Sequence, residues 1–344
     1  MLPGKRGIRS GSNGSPPRIW SRPLGWIRRS GSVAGPGSNH SAPAHRRSRD
    51  FNCSQHSPAV ASDTQFLRNL RHPQLAWNTP LSASHADRLL ENLRLTEAGR
   101  VVDLGCGWGE LLLRAVADVP GLIGEGVELD HSNVERARSA AVVRGLADRV
   151  TFTEEDLRNY RRTAGRVICI GADHVWGGPV PALSSLQARV EPSGRLLFGG
   201  GFWSRSPSPE LVEMFGDLPA SLEALLAASV SAGWKVDYHD VADLSEWDDF
   251  EAAWNRDLEE ISRREPSTVG GQQADRIARQ RREEYYNGYR GVLGFAYLIL
   301  AQAERSRPGR WSSSIVRHGR SPTKQLGRDP TVRSLTVGGP RELV

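Results

Sequence analysis

The stretch VVDLGCGWGE, residues 101–110, decides the fold. Branched apolar residues run through Asp103 into Gly105, Gly107 and Gly109, which alternate with Cys106 and Trp108. Glycine costs backbone entropy and is kept where a left-handed dihedral, or another molecule close to the main chain, demands it. The turn therefore predicts a ligand lying against the backbone just after a buried strand.

Outward from that turn the pattern alternates. RVVDL (100–104), LIGEGVEL (122–129), RVTFTEED (149–156), RVICIGA (166–172), a part of GRLLFGGGFW (194–203) and KVDYHDV (235–241) read as strands. Residues 82–95, 109–118, 132–146, 180–190 and 221–234 read as helices, with Ser82 or Ser84 capping the first and Gly145 stopping the third. Strands separated by helix-length segments imply parallel pairing with right-handed crossovers. The expected fold is α/β: a doubly wound, mostly parallel seven-stranded sheet with helices on both faces and its ligand at the strands' carboxyl ends.

After the sixth strand the rhythm changes. EWDDFEAAWNRDLEEI and QADRIARQRREEYYNGY read as two charged helices with aromatic stripes, and GVLGFAYLILA (291–301) as the last, buried strand. Residues 241–290 are thus expected to form a helical insertion, either a lid over a pocket or a plain cover for the sheet.

Composition divides the chain of 344 residues, whose formal net charge is +6. Residues 1–50 carry ten Lys/Arg against Asp50 alone, and residues 305–344 carry nine against Asp329 and Glu342, so the span between them is acidic. Both ends mix Ser, Gly, Pro and Arg without apolar periodicity and cannot offset the entropy of ordering. We expect disordered basic tails at 1–60 and 305–344 around a folded domain at 61–304. Proline and glycine in the first segment argue against an amphipathic transit peptide. With Lys confined to Lys5, Lys235 and Lys324, it reads instead as an extension from an upstream start codon in a GC-rich bacterial gene. The acidic body disfavours nucleic acid as a partner, although the tails could act as electrostatic arms for one. Cys53, Cys106 and Cys169 lack metal-type spacing, and no apolar run reaches the ~20 residues that span a bilayer. A cytoplasmic protein with no metal and no membrane partner is expected.

The glycine spacing is one residue shorter than the dinucleotide fingerprint G-x-G-x-x-G. Asp103 beside the turn would repel a pyrophosphate and suits a ligand with an ammonium group. S-adenosylmethionine carries that group and no phosphate. Through VVDLGCGWGE, GEGVELD (124–130), VTFTEED (150–156) and VICIGAD (167–173), residues 80–240 resemble a class I, Rossmann-like S-adenosylmethionine-dependent methyltransferase. The resemblance implies that Gly105, Gly107 and Gly109 let the cofactor approach and that Asp103 helps to hold its amino group. It also implies that Glu128, with Leu129 beside it, takes the ribose hydroxyls. Asp156, with Leu157, receives the adenine amino group, and Gly171 leaves room beside the cofactor.

Methyl transfer from a sulfonium chiefly needs alignment and exclusion of water. His174, or Asp173 in its stead, is the candidate general base, against the plainer reading of a histidine that packs or hydrogen-bonds in its loop. Trp77, Trp108, Phe202, Trp254, Tyr285, Tyr286 and Tyr289 could line a substrate pocket, and Trp176 and Trp203, each after a strand end, are the choices for it. No Asn/Asp-Pro-Pro-aromatic motif of amino-directed nucleic-acid methyltransferases is present. GCGWG and DHV (173–175) also resemble cyclopropane fatty-acid synthases. A small-molecule acceptor is expected, with lipid or nucleic-acid modification as alternatives.

Overall fold

The computed structural model describes residues 74–97 and 99–303, together with Asp63, Phe66, Leu67 and Leu70. The tails expected at 1–60 and 305–344 lie outside the described residues. Seven strands form one sheet: β1 (Arg100–Leu104), β2 (Ile123–Glu128), β3 (Val150–Glu154), β4 (Ala164–Ile170), β5 (Val190–Trp203), β6 (Trp234–Val241) and β7 (Leu293–Gln302). Their order is β3-β2-β1-β4-β5-β7-β6. Strands β1 to β5 pair in parallel, whereas β7 runs antiparallel between β5 and β6. The order reverses between β1 and β4, where such sheets bind ligands at their carboxyl ends.

Local chemistry sets the helices. Helix α1 (Ala83–Leu93) starts where the Ser82 hydroxyl accepts the His85 N–H at 3.2 Å, and α2 (Glu110–Asp118) opens directly on Gly109. Helix α3 spans His131–Val143 rather than 132–146, because Asp130 caps it by accepting the N–H groups of Ser132 and Asn133. Gly145, with φ of 66°, follows two residues after its end. Helix α4 (Pro179–Leu186) passes through a 3-10 turn into β5, and α6 (Leu222–Ser231) is capped by Ser221. Strand β5 begins at Val190, ahead of the expected 194, because a shift in register against β4 accommodates Pro192 and Ser193, the latter at φ of 66°. Helix α5 (Pro209–Phe215), capped by Ser208, was not anticipated.

Side-chain alternation divides the core into two layers. Val101, Ile168, Leu197, Tyr297 and Ile299 face one way, and Val102, Val167, Leu196, Leu298 and Leu300 face the other. The insertion forms α7 (Leu244–Arg264) and α8 (Val269–Glu284) and a π-helical turn at Tyr285–Tyr289. Trp254, Leu258, Ala274 and Ile277 from these helices are buried in the first layer, which also receives α1 and α2. A capping box of Asp243 and Glu246 starts α7.

Candidate active site

The glycine turn wraps the end of β2: the N–H groups of Gly105 and Cys106 both reach the Val127 carbonyl, at 2.8 and 3.2 Å. All three glycines have positive φ, at 79°, 55° and 77° for Gly105, Gly107 and Gly109. Their environments differ. A Cβ on Gly105 would lie 2.5 Å from that of Ala172, and one on Gly109 would lie 2.5 Å from the Phe152 ring. These two glycines let the turn pack against β4 and β3. Gly107 alone of the three faces open space, with no atom within 4 Å of such a Cβ, and Gly171 at the end of β4 is open in the same way.

Beside the turn lies a pocket of about 80 Å³, lined by residues 76–79 and Leu81, by Asp103, the turn, Glu110 and Leu111, and by Ile168 and Ile170 of β4. Asp103 is buried, and desolvation, reinforced by the negative charge of Glu128, pushes its carboxyl up to about 8. The wall formed by residues 76–81 is clamped from behind. Trp108 Nε1 donates to the Ala76 carbonyl at 2.5 Å, with the Arg136 guanidinium 4.4 Å from its ring centre. Tyr297 Oη donates to the Pro80 carbonyl at 2.8 Å and lies 3.1 Å from Thr79 Oγ1. The Ser82 N–H donates to Glu246 Oε1 at 2.8 Å, and the same carboxylate lies 3.0 Å from His85 Nδ1. Burial opposes ionisation of Glu246, but hydrogen bonds from His85 and Ser82 outweigh it and hold the carboxyl at about 2.

Glu128 closes the far side of the turn. Its Oε2 accepts the Gly107 N–H at 3.0 Å, and its Oε1 accepts those of Leu129 and Asp130 at 2.9 and 3.0 Å. Desolvation raises its pKa, with these backbone N–H groups acting in opposition. Three bonds leave room on a carboxylate with about four lone-pair positions. Leu129 next to it is an exposed apolar side chain, whereas Leu157 is buried. Asp156 accepts from the Arg158 N–H at 2.9 Å and from its guanidinium at both oxygens, which lowers its pKa.

Asp173, His174 and Trp176 share one 3-10 turn after β4. His174 Nδ1 lies 3.2 Å from the Gly171 carbonyl, which can only accept, so a hydrogen bond there requires the hydrogen on Nδ1. Asp173 is buried. Neither Trp176 nor Trp203 lines the pocket. Trp203 is buried against Phe215, whose ring in turn meets Tyr289, so packing accounts for it. Sequence reading missed the wall at 76–81, apart from Trp77, and it missed Arg158. The proximity of Asp156 and Arg158, two residues apart, was the available signal for the latter.

Residues 81–197 match the family described as mycolic acid cyclopropane synthetase. The Escherichia coli (strain K12) protein YjhP is 29% identical over 168 residues, 47% of this chain and 67% of that protein. A Geobacter sulfurreducens S-adenosylmethionine-dependent methyltransferase, solved in complex with S-adenosyl-L-homocysteine, aligns with a TM-score of 0.63 and 26% identity, covering 69% of this chain and 98% of that one. A Thiobacillus denitrificans methyltransferase in the same kind of complex gives 0.60 and 27%, over 66% and 94%. The chain has the fold of the class I S-adenosylmethionine-dependent methyltransferases and is similar to them. Asp103 and Gly107 line the pocket, and Glu128 lies beside it as acceptor of the Gly107 N–H, two carboxyl groups that fit a cofactor with an ammonium group and ribose hydroxyls. Among the described residues no group of three or more His, Cys, Asp or Glu is placed to hold a metal, and no helix is long and apolar enough to cross a membrane.

Proposed function

We propose that the protein transfers the methyl group of S-adenosylmethionine to a small, partly apolar acceptor by in-line displacement. The pocket that joins the buried Asp103 carboxyl to the open face of Gly107 is the observation that carries this reading. When bound, the cofactor supplies an electrophilic methyl group on a sulfonium. Asp103 takes its ammonium group, and Gly107 allows the amino-acid portion to lie on bare main chain. Glu128 offers its remaining acceptor position to the ribose, and Leu129 loses solvent exposure to the adenine. Asp156 reaches the adenine amino group by sharing the lone pairs it now gives to Arg158. His174 Nε2 takes the proton of an acceptor that arrives protonated. The free thiols Cys106 and Cys169 suit a reducing cytoplasm.

Glu128→Ala with calorimetric titration of S-adenosylhomocysteine tests the cofactor site: affinity should fall at least tenfold, as expected for lost hydrogen bonds to a charged group, and unchanged binding removes the assignment. A second reading, lipid modification, is supported by the match of residues 81–197 to the cyclopropane synthetase family. Labelled-methyl transfer into a cell extract separates the two. Label in the aqueous metabolite fraction supports the small acceptor, and label in fatty acyl chains supports the lipid.

A further inference from the structure

Neither α7 nor α8 contributes a residue to the pocket wall, yet α7 fixes one that does. Trp254 Nε1 donates a 3.0 Å hydrogen bond to Asn78 Oδ1. An indole N–H only donates, so its partner has to be the amide oxygen, and the Asn78 side chain is held in one of its two orientations. The two N–H donors of Nδ2 are thereby turned to other partners. Asn78 is exposed, so these donors are open to solvent or to a ligand, and it lines the same small pocket as Asp103.

Trp254 is itself firmly set. It is buried, and the Arg281 guanidinium lies 4.3 Å from its ring centre. Arg281 forms a buried two-point ion pair with Glu251, at 2.6 and 2.9 Å. The pocket therefore offers a carboxyl from β1, which ionises on pairing with a cation, and an oriented amide donor from the wall at 76–81. That pairing matches a zwitterionic amino-acid head: ammonium to the acid, carboxylate to the amide.

We infer that Asn78 is a specificity-determining residue that reads the carboxylate of the cofactor's amino-acid end, and that Trp254 of the inserted helix is its positioning residue. The inference rests on the reading of the pocket as the S-adenosylmethionine site. It gives the insertion a role in ligand selection without a place in the pocket.

The test is calorimetric titration of the full chain with S-adenosylmethionine and with its decarboxylated form. Asn78→Ala should weaken S-adenosylmethionine roughly tenfold, the scale of a hydrogen bond to a charged group, and leave the decarboxylated ligand unchanged. Asn78→Asp should weaken it further, because it sets two carboxylates together. Trp254→Phe keeps an aromatic ring under Arg281 while removing the indole N–H; it should lose a few-fold for the carboxylated ligand only, through an amide free to rotate. Should Asn78→Ala fail to fold, the Trp254→Phe comparison supplies the same readout. Equal losses on both ligands, or no loss, would overturn the inference while the cofactor site stands. Failure of the unaltered protein to bind either ligand would overturn the cofactor reading itself.

Discussion

The glycine turn at residues 105–109 and the helix pair α7 and α8 serve one pocket, the first with bare main chain and the second with interlocked side chains. The turn makes room: removing Cβ atoms lets strand ends pack and leaves Gly107 open to a ligand. The helix pair takes room away, since Trp254, Arg281 and Glu251 fill their layer and hold Asn78 from behind. Ligand approach is a property of backbone, and donor orientation is a property of side chains. Their failure modes should differ accordingly.

The largest effect is expected from breaking the helix pair. Glu251→Ala leaves the Arg281 charge buried without its carboxylate and should cost about 3–5 kcal/mol in denaturant unfolding. Glu251→Gln should cost less. Gly109→Ala forces a side chain into a left-handed dihedral and against the Phe152 ring, for a loss of about 2–4 kcal/mol by the same measurement. Gly107→Ala sharpens the contrast. It meets no neighbour, so only the dihedral strain of about 1–2 kcal/mol applies, while affinity for S-adenosylhomocysteine should fall well beyond what that strain explains. A Gly107→Ala protein that binds normally would show that the open face is not used.

A smaller effect is expected with pH. Asp103 keeps its proton up to about pH 8 when folded, against an ordinary value of 3.8. Between those values the native state binds one proton more than the unfolded chain, so this group lowers stability as pH rises and the slope ends above pH 8. Asp103→Asn should remove that slope in melting curves. Pairing the ammonium with an ionised Asp103 also requires proton release, which calorimetry at pH 7 in buffers of different ionisation enthalpy should detect. The smallest effect concerns Arg158→Ala, which should leave the melting temperature unchanged and tighten cofactor binding slightly by freeing Asp156.

The turn-bearing region was legible because its signals are local. Alternating apolar residues placed β1 to β4, and the acids at 103, 128 and 156 fell near strand ends with the glycines between them. The wall at 76–81 carried no such signal, since the partners of Ala76, Asn78, Thr79 and Pro80 are Trp108, Trp254 and Tyr297, 32 to 218 positions away. The bond from the Gly107 N–H to Glu128 was equally hidden, because it depends on how tightly the turn closes on β2, whereas the other two come from the adjacent Leu129 and Asp130. Trp203 packs on Phe215, a contact that sequence could not foresee because a strand-end aromatic looks the same whether it meets a ligand or such a neighbour.

Tyr297 sits on the last strand of the sheet, yet it secures a carbonyl 217 positions earlier. As the chain leaves the ribosome, the first five strands and their helices can associate long before Tyr297 is made, and the earlier segment waits without its anchor. Long-range closures of this kind are the slow steps of folding. Competence to hold a ligand should therefore emerge late in biosynthesis, after most of the sheet has formed.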